Sequence, residues 1–134
     1  MRHRARRSTQ PLDDMREQAA IEALVVREIE RIEQPELLAL AQSLRVSPRL
    51  EERPWDYGHD GQTYPCWITF AHQRSNTAVA YCSEGFGPNY PWGLLFLTEP
   101  RSMGMDSQWF ASVEDALRNC AAWEGEDPLG YEVQ

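Results

Sequence analysis

The residues of this chain with the most distinctive chemistry are three cysteines, at 66, 82 and 120, and two histidines beyond His3, at 59 and 72. A thiol becomes a nucleophile when a neighbouring base takes its proton, so a cysteine beside His59 or His72 is the pairing that would carry catalysis. His59 lies in Tyr57-Gly-His-Asp-Gly61, where Asp60 stands ready to orient an imidazole. Two glycines in a short polar run also describe an ordinary surface turn. A zinc centre asks for four ligands at short, paired spacings, and the chain has no Cys-x-x-Cys and no His-x₃-His. The expectation is therefore no metal, no cofactor, no catalytic set, and cysteines that pack as small hydrophobes.

The most unusual segment is Glu84-Gly-Phe-Gly-Pro-Asn-Tyr-Pro-Trp-Gly93. It lacks the Lys-Ser/Thr of a phosphate loop and leads into a strand rather than a helix, so it does not cradle phosphate. Phe86, Tyr90 and Trp92 stand there among backbone-restricting Gly and Pro. Such a loop serves either as a rigid aromatic platform for a partner or as a cap folded over the end of a sheet. With the acidic tail residues Glu124, Glu126 and Asp127, these three aromatics form the candidate partner-binding set. A further acidic group (Glu84, Glu99, Asp106, Glu114, Asp115) reads as solvated surface rather than a catalytic carboxylate pair.

The elements that must position these residues follow from periodicity. Ile21, Leu24, Val25, Ile29 and Ile32 recur at steps of three and four, predicting an amphipathic helix over 12–33. Pro35 ends it and starts a second helix, 36–45, with the stripe Leu37, Leu40, Ala41 and Leu44. Residues 47–63, with two prolines, two glycines and four acids, read as a linking loop. A β-hairpin follows, 66–72 and 77–83, then a strand over 93–98 and a short fourth strand around 106–111. Ser112-Val-Glu-Asp115 has the capping-box pattern of a last helix stopping near Gly125, and 131–133 suits an edge strand. Strict alternation would put Cys66, Ile68, Phe70 and His72 on one face. Register decides whether Cys82 joins them: with Ile68 opposite Cys82 the two cysteines are diagonal neighbours, and a one-residue slip separates them.

The predicted fold class is α+β: an N-terminal helical pair, an antiparallel three- to four-stranded sheet, and a C-terminal helix. Residues 1–10 are expected as a flexible basic arm, and 11–134 as one domain. A chain of 134 residues with 42% hydrophobic side chains has enough material for a core. Its apolar runs fall far short of the about 20 residues a membrane span needs. The basic start leads into polar residues, not the apolar stretch of a secretory signal, and the odd cysteine count argues against a disulfide framework. A reducing cytoplasm is the expected compartment.

Charge ranks the functional readings. All 13 basic residues are Arg, four of them within residues 1–7; beyond these, nine Arg face 21 acids, a net of −12. Such a body repels nucleic acid and anionic membranes and attracts a basic protein. The leading expectation is a small, acidic, non-enzymatic protein-binding module. Its most concrete form is an inhibitor or immunity-type protein, of the kind bacteria carry, that neutralises a basic toxin. Two alternatives remain: an oligomerising accessory protein that forms a homodimer through the N-terminal helices, or a small enzyme or ligand-binding domain built on loop 84–93.

Overall fold

The computed structural model describes residues 2–55, 61–99, 101–104 and 106–120, with side chains from Met15 onward, Asp106 excepted. Three helices, α1 (Arg2–Glu30), α2 (Pro35–Leu44) and α3 (Val113–Arg118), accompany five strands: β1 (Arg45–Pro54), β2 (Thr63–His72), β3 (Thr77–Tyr81), β4 (Trp92–Phe96) and β5 (Trp109–Phe110). The strands form one antiparallel sheet in chain order, β1-β2-β3-β4-β5. The α+β class is as expected; the sheet is larger than the three to four strands predicted.

The helices arise where the apolar stripes predict them. Ile21, Val25 and Ile29 of α1, with Ile32 just beyond it, are buried together with Leu37 and Ala41 of α2. Helix α1 starts at Arg2 rather than near residue 12, in keeping with the strong helix propensity of arginine and alanine. It tightens to a close through i→i−3 bonds from Arg31 and Ile32, and Pro35 opens α2. At α3 the Ser112 hydroxyl accepts from the Asp115 N–H at 3.1 Å, the cap the sequence predicts. The helix ends at Arg118, well before Gly125. The possible strand at 131–133 lies outside the described residues.

The main correction concerns 47–63. Residues 45–54 of this stretch and its approach form β1, which pairs with β2 from Arg49↔Ile68 to Pro54↔Thr63. Two prolines and five charged residues disguise it, and both are compatible with its place at the sheet edge. An edge strand bonds on one side only, so proline is tolerated and charge guards the open side.

Two apolar layers sandwich the sheet. On one face, the three helices pack on Trp67, Phe70, Val79 and Trp92. On the other, loops close over Cys66, Ile68, Ala78, Ala80, Cys82, Leu95 and Trp109 of the sheet, with Met103 as their own anchor. A bulge at Thr69 distributes β2 between the layers. Ile68 pairs with Ala80 and Phe70 with Val79, so Thr69 is the extra residue; it is fully buried and its hydroxyl donates to the Val79 carbonyl at 2.9 Å. The expected single face of Cys66, Ile68, Phe70 and His72 is therefore split. Cys66 and Ile68 face the loops, whereas Phe70 packs with the helices.

Candidate functional site

Loop 84–91 uses its aromatics in different ways. Phe86 folds back edge-on to Trp55 at 4.8 Å and lies 5.9 Å from Trp109, centroid to centroid. Trp92 is 2% exposed and sits edge-on to Tyr81 at 4.9 Å, within the helix-side core. Tyr90 alone is open, at 53%. The loop is thus largely a cap, with one aromatic left on its surface. The Cys82 N–H donates to the Pro91 carbonyl at 2.8 Å and closes the loop's base, which keeps Tyr90 at the same end of the sheet as Ser83 and Glu84. Glu124, Glu126 and Asp127 lie outside the described residues, as do His59 and Asp60.

At that end of the sheet, on its helix side, α1 stands away from the strands and leaves a groove of about 310 Å³. Ile21, Leu50, Pro65 and Trp67 line it with apolar surface, and the exposed carboxylates Glu17 and Glu84 stand at its mouth. A second hollow of about 220 Å³ shares Leu50 and Trp67 and adds Met15, Gln18 and Pro48. Met15 and Leu50, at 63% and 38%, are among the four large hydrophobic side chains exposed in the described residues. Polar ties join α1 to β1 along the trough. Gln18 Nε2 donates to the Pro48 carbonyl at 2.7 Å, and Arg45 pairs with Glu22. Nothing in the sequence marks this groove: its lining is drawn from α1, β2 and the end of β3 as well as from Leu50 of β1, a strand that the sequence disguises as a loop.

The same misreading hides a charged cluster on the loop side of the sheet. Arg49, Glu51 and Arg53 are spaced by two and share a face of β1. Glu51 Oε1 lies 2.6 Å from Arg53 Nη2 and 3.2 Å from Arg101 Nη2, and Oε2 lies 2.9 Å from Arg49 Nη2. Arg53 is fully buried; it also donates to the Arg101 carbonyl at 3.3 Å. Burial pushes the Glu51 carboxyl up, but the hydrogen bond from Arg49 and the charge of Arg53 outweigh it and hold the group below its ordinary value. The period-two spacing of Arg, Glu and Arg was the available signal.

The cysteines and His72 occupy separate places. Ile68 stands opposite Ala80, not Cys82, so the register carries Cys66 directly across from Cys82 on the loop side. The Cys66 thiol donates to the Cys82 sulfur. That bond pulls the Cys82 thiol down to about 7, helped by N–H groups of Gly85 and Glu84, and it pushes Cys66 far up, as does burial. Cys120 belongs to the helix-side core instead. His72 Nδ1 meets Ser75 Oγ at 2.6 Å, and Ser75 meets Thr77 Oγ1 at 2.6 Å, a polar chain that closes the β2–β3 turn around left-handed Asn76. Of the acidic group, Glu114 pairs with Arg118 at 2.9 Å along α3, and the Asp115 side chain lies outside the hydrophobic core.

Among the described residues, no group of three or more His, Cys, Asp or Glu is gathered to hold a metal ion, and no helix is long and apolar enough to cross a membrane. Comparison of the chain with protein families, with curated proteins and with solved structures found no match in any of the three.

Proposed function

We infer that this chain is a protein-binding module whose basic partner docks over the groove between α1 and the β1–β3 end of the sheet. The groove's composition carries the reading: an apolar floor of Ile21, Leu50, Pro65 and Trp67, with Glu17 and Glu84 at its mouth. An apolar centre within a charged rim is the usual anatomy of a protein interface. Tyr90, exposed at the same end of the sheet, adds a rigid aromatic contact at low entropic cost. The net −12 beyond residue 7 favours a basic partner and draws it in from a distance. The most concrete form is a cytoplasmic inhibitor or immunity-type protein that neutralises a basic toxin.

Site-specific photocrosslinking in native extract tests this. A crosslinker at position 50 or 90 should capture a basic protein. One at Phe96, exposed at the opposite end of the sheet, should not. Glu17→Lys and Glu84→Lys should each reduce capture at position 50. Capture through Phe96 alone, an acidic or nucleic-acid partner, or a second copy of this chain as the captured protein would each overturn the reading. The last result would favour the homodimer instead.

A further inference from the structure

Cys82 lines the end of the groove, but its side chain joins Cys66 in the loop-side layer of the sheet. The pairs Ile68↔Ala80 and Trp67↔Tyr81 lead to Cys66 opposite Cys82. Hydrogen-bond parity decides which kind of pair this is. Cys82 N–H donates to Pro91 of the chain leading into β4, and Leu97 N–H donates to Asn76, so even-numbered residues of this segment face β4 with their backbone groups. Odd-numbered residues, Tyr81 among them, therefore bond to β2. Cys66 and Cys82 thus occupy a non-hydrogen-bonded position, where Cα atoms stand about 4.5 Å apart and side chains approach most closely. A disulfide spans Cα separations of about 4.4–6.8 Å, so the backbone is already spaced for one.

The surroundings make the two sulfurs unequal. Gly85 N–H lies 3.5 Å from Cys82 Sγ. Gly85 lies under the Met103 methyl group, which a Cβ at that position would displace. With the Cys66 thiol also donating to it, Cys82 is the sulfur better prepared to carry negative charge. Both residues are buried, and the cover on Cys82 is the turn-rich loop 84–91 rather than a helix or strand. Only a small oxidant suits such a site.

We propose that Cys66 and Cys82 form a reversible intrachain disulfide in response to hydrogen peroxide, with Cys82 as the reacting thiol and Cys66 as the resolving one. The Cys82 thiolate attacks one peroxide oxygen; the O–O bond breaks and the departing hydroxide takes up a proton as water. The Cys66 sulfur then attacks the Cys82 sulfenic sulfur. The S–O bond breaks, and its hydroxyl leaves as a second water with the Cys66 proton. Two thiols and one peroxide become one disulfide and two waters. A small thiol reductant reverses the step by exchange, being itself oxidised to its disulfide.

The test uses the full chain, folded, with hydrogen peroxide as the probe. Wild type and Cys120→Ser should lose two hydrogens by intact mass, peptide mapping should join Cys66 to Cys82, and dithiothreitol should restore the dithiol. Cys66→Ser should stop at a sulfenic acid on Cys82 that dimedone traps. Cys82→Ser should lose most of the wild-type reaction rate. Oxygen uptake without a crosslink in wild type would overturn the proposal, as would a crosslink through Cys120, or one formed only in denaturant. Wild-type mapping decides the matter even if a serine variant fails to fold.

Discussion

Glu51 shows how one carboxylate decides the state of its neighbourhood. It is the shared partner of Arg49, Arg53 and Arg101, and Arg53 is wholly buried. Removing it strands a guanidinium away from water, so Glu51→Ala should cost about 3 kcal/mol, the low end for a broken buried pair, since Glu51 itself keeps some exposure. Arg49→Ala should cost under about 1 kcal/mol, because Arg49 is mostly in solvent. The depressed Glu51 value fixes a pH signature. Its stabilisation is fully present above the ordinary carboxylate range, near about 4.3, and is lost as pH falls through the lower folded value. Denaturant melts across acid pH should show that loss in wild type and a flatter profile in Glu51→Gln. The aromatics divide in the same way. Trp92→Ala should lower stability by about 3–5 kcal/mol, as a buried large-to-small change. Tyr90→Ala should leave stability within about 0.5 kcal/mol and weaken partner binding by about 2 kcal/mol.

At the scale of elements, the sheet depends on a few backbone decisions. Gly93 of β4 lets the Trp109 ring lie against the strand, since a Cβ there would come within 2.3 Å of it. Gly93→Val should push Trp109 out, breaking its indole N–H bond to the Met103 carbonyl, and a quenched or shifted tryptophan emission would report the change. Glu28 joins two helices, with its carboxylate accepting from the Val113 N–H at 3.0 Å. Glu28→Ala should speed hydrogen exchange in α3 more than in α2. The helices were legible in the sequence because their apolar stripes keep one period. β1 was not, since an edge strand with Pro48, Pro54 and five charged residues has the composition of a loop. The Thr69 bulge was equally hidden: one inserted residue reverses the faces of all that follow, and no local residue type announces it. The groove was missed because its lining is assembled from α1, β1, β2 and the end of β3, which lie far apart in the sequence. The aromatic loop was found, but only burial could separate Tyr90 from Trp92.

For the whole molecule, the prediction is that the two apolar layers suffice to fold the chain, with no help from a disulfide or a metal. Chelator and reductant together should leave the unfolding midpoint unchanged, and a drop with either would contradict that account. On the proposed function, charge governs encounter. Neutralising Glu17 and Glu84 at the groove, or Glu124, Glu126 and Asp127 in the acidic tail, should slow association and leave dissociation nearly unchanged. Deleting residues 1–7 removes four arginines and should leave binding intact or slightly faster. The most direct test is to measure both rate constants for the captured partner between about 50 and 500 mM salt, where the Debye length falls from about 14 Å to about 4 Å. An acidic module bound to a basic partner predicts an association rate that falls steeply with salt and a dissociation rate that barely changes. A salt-insensitive association rate, or binding that collapses without the arginine arm, would contradict it.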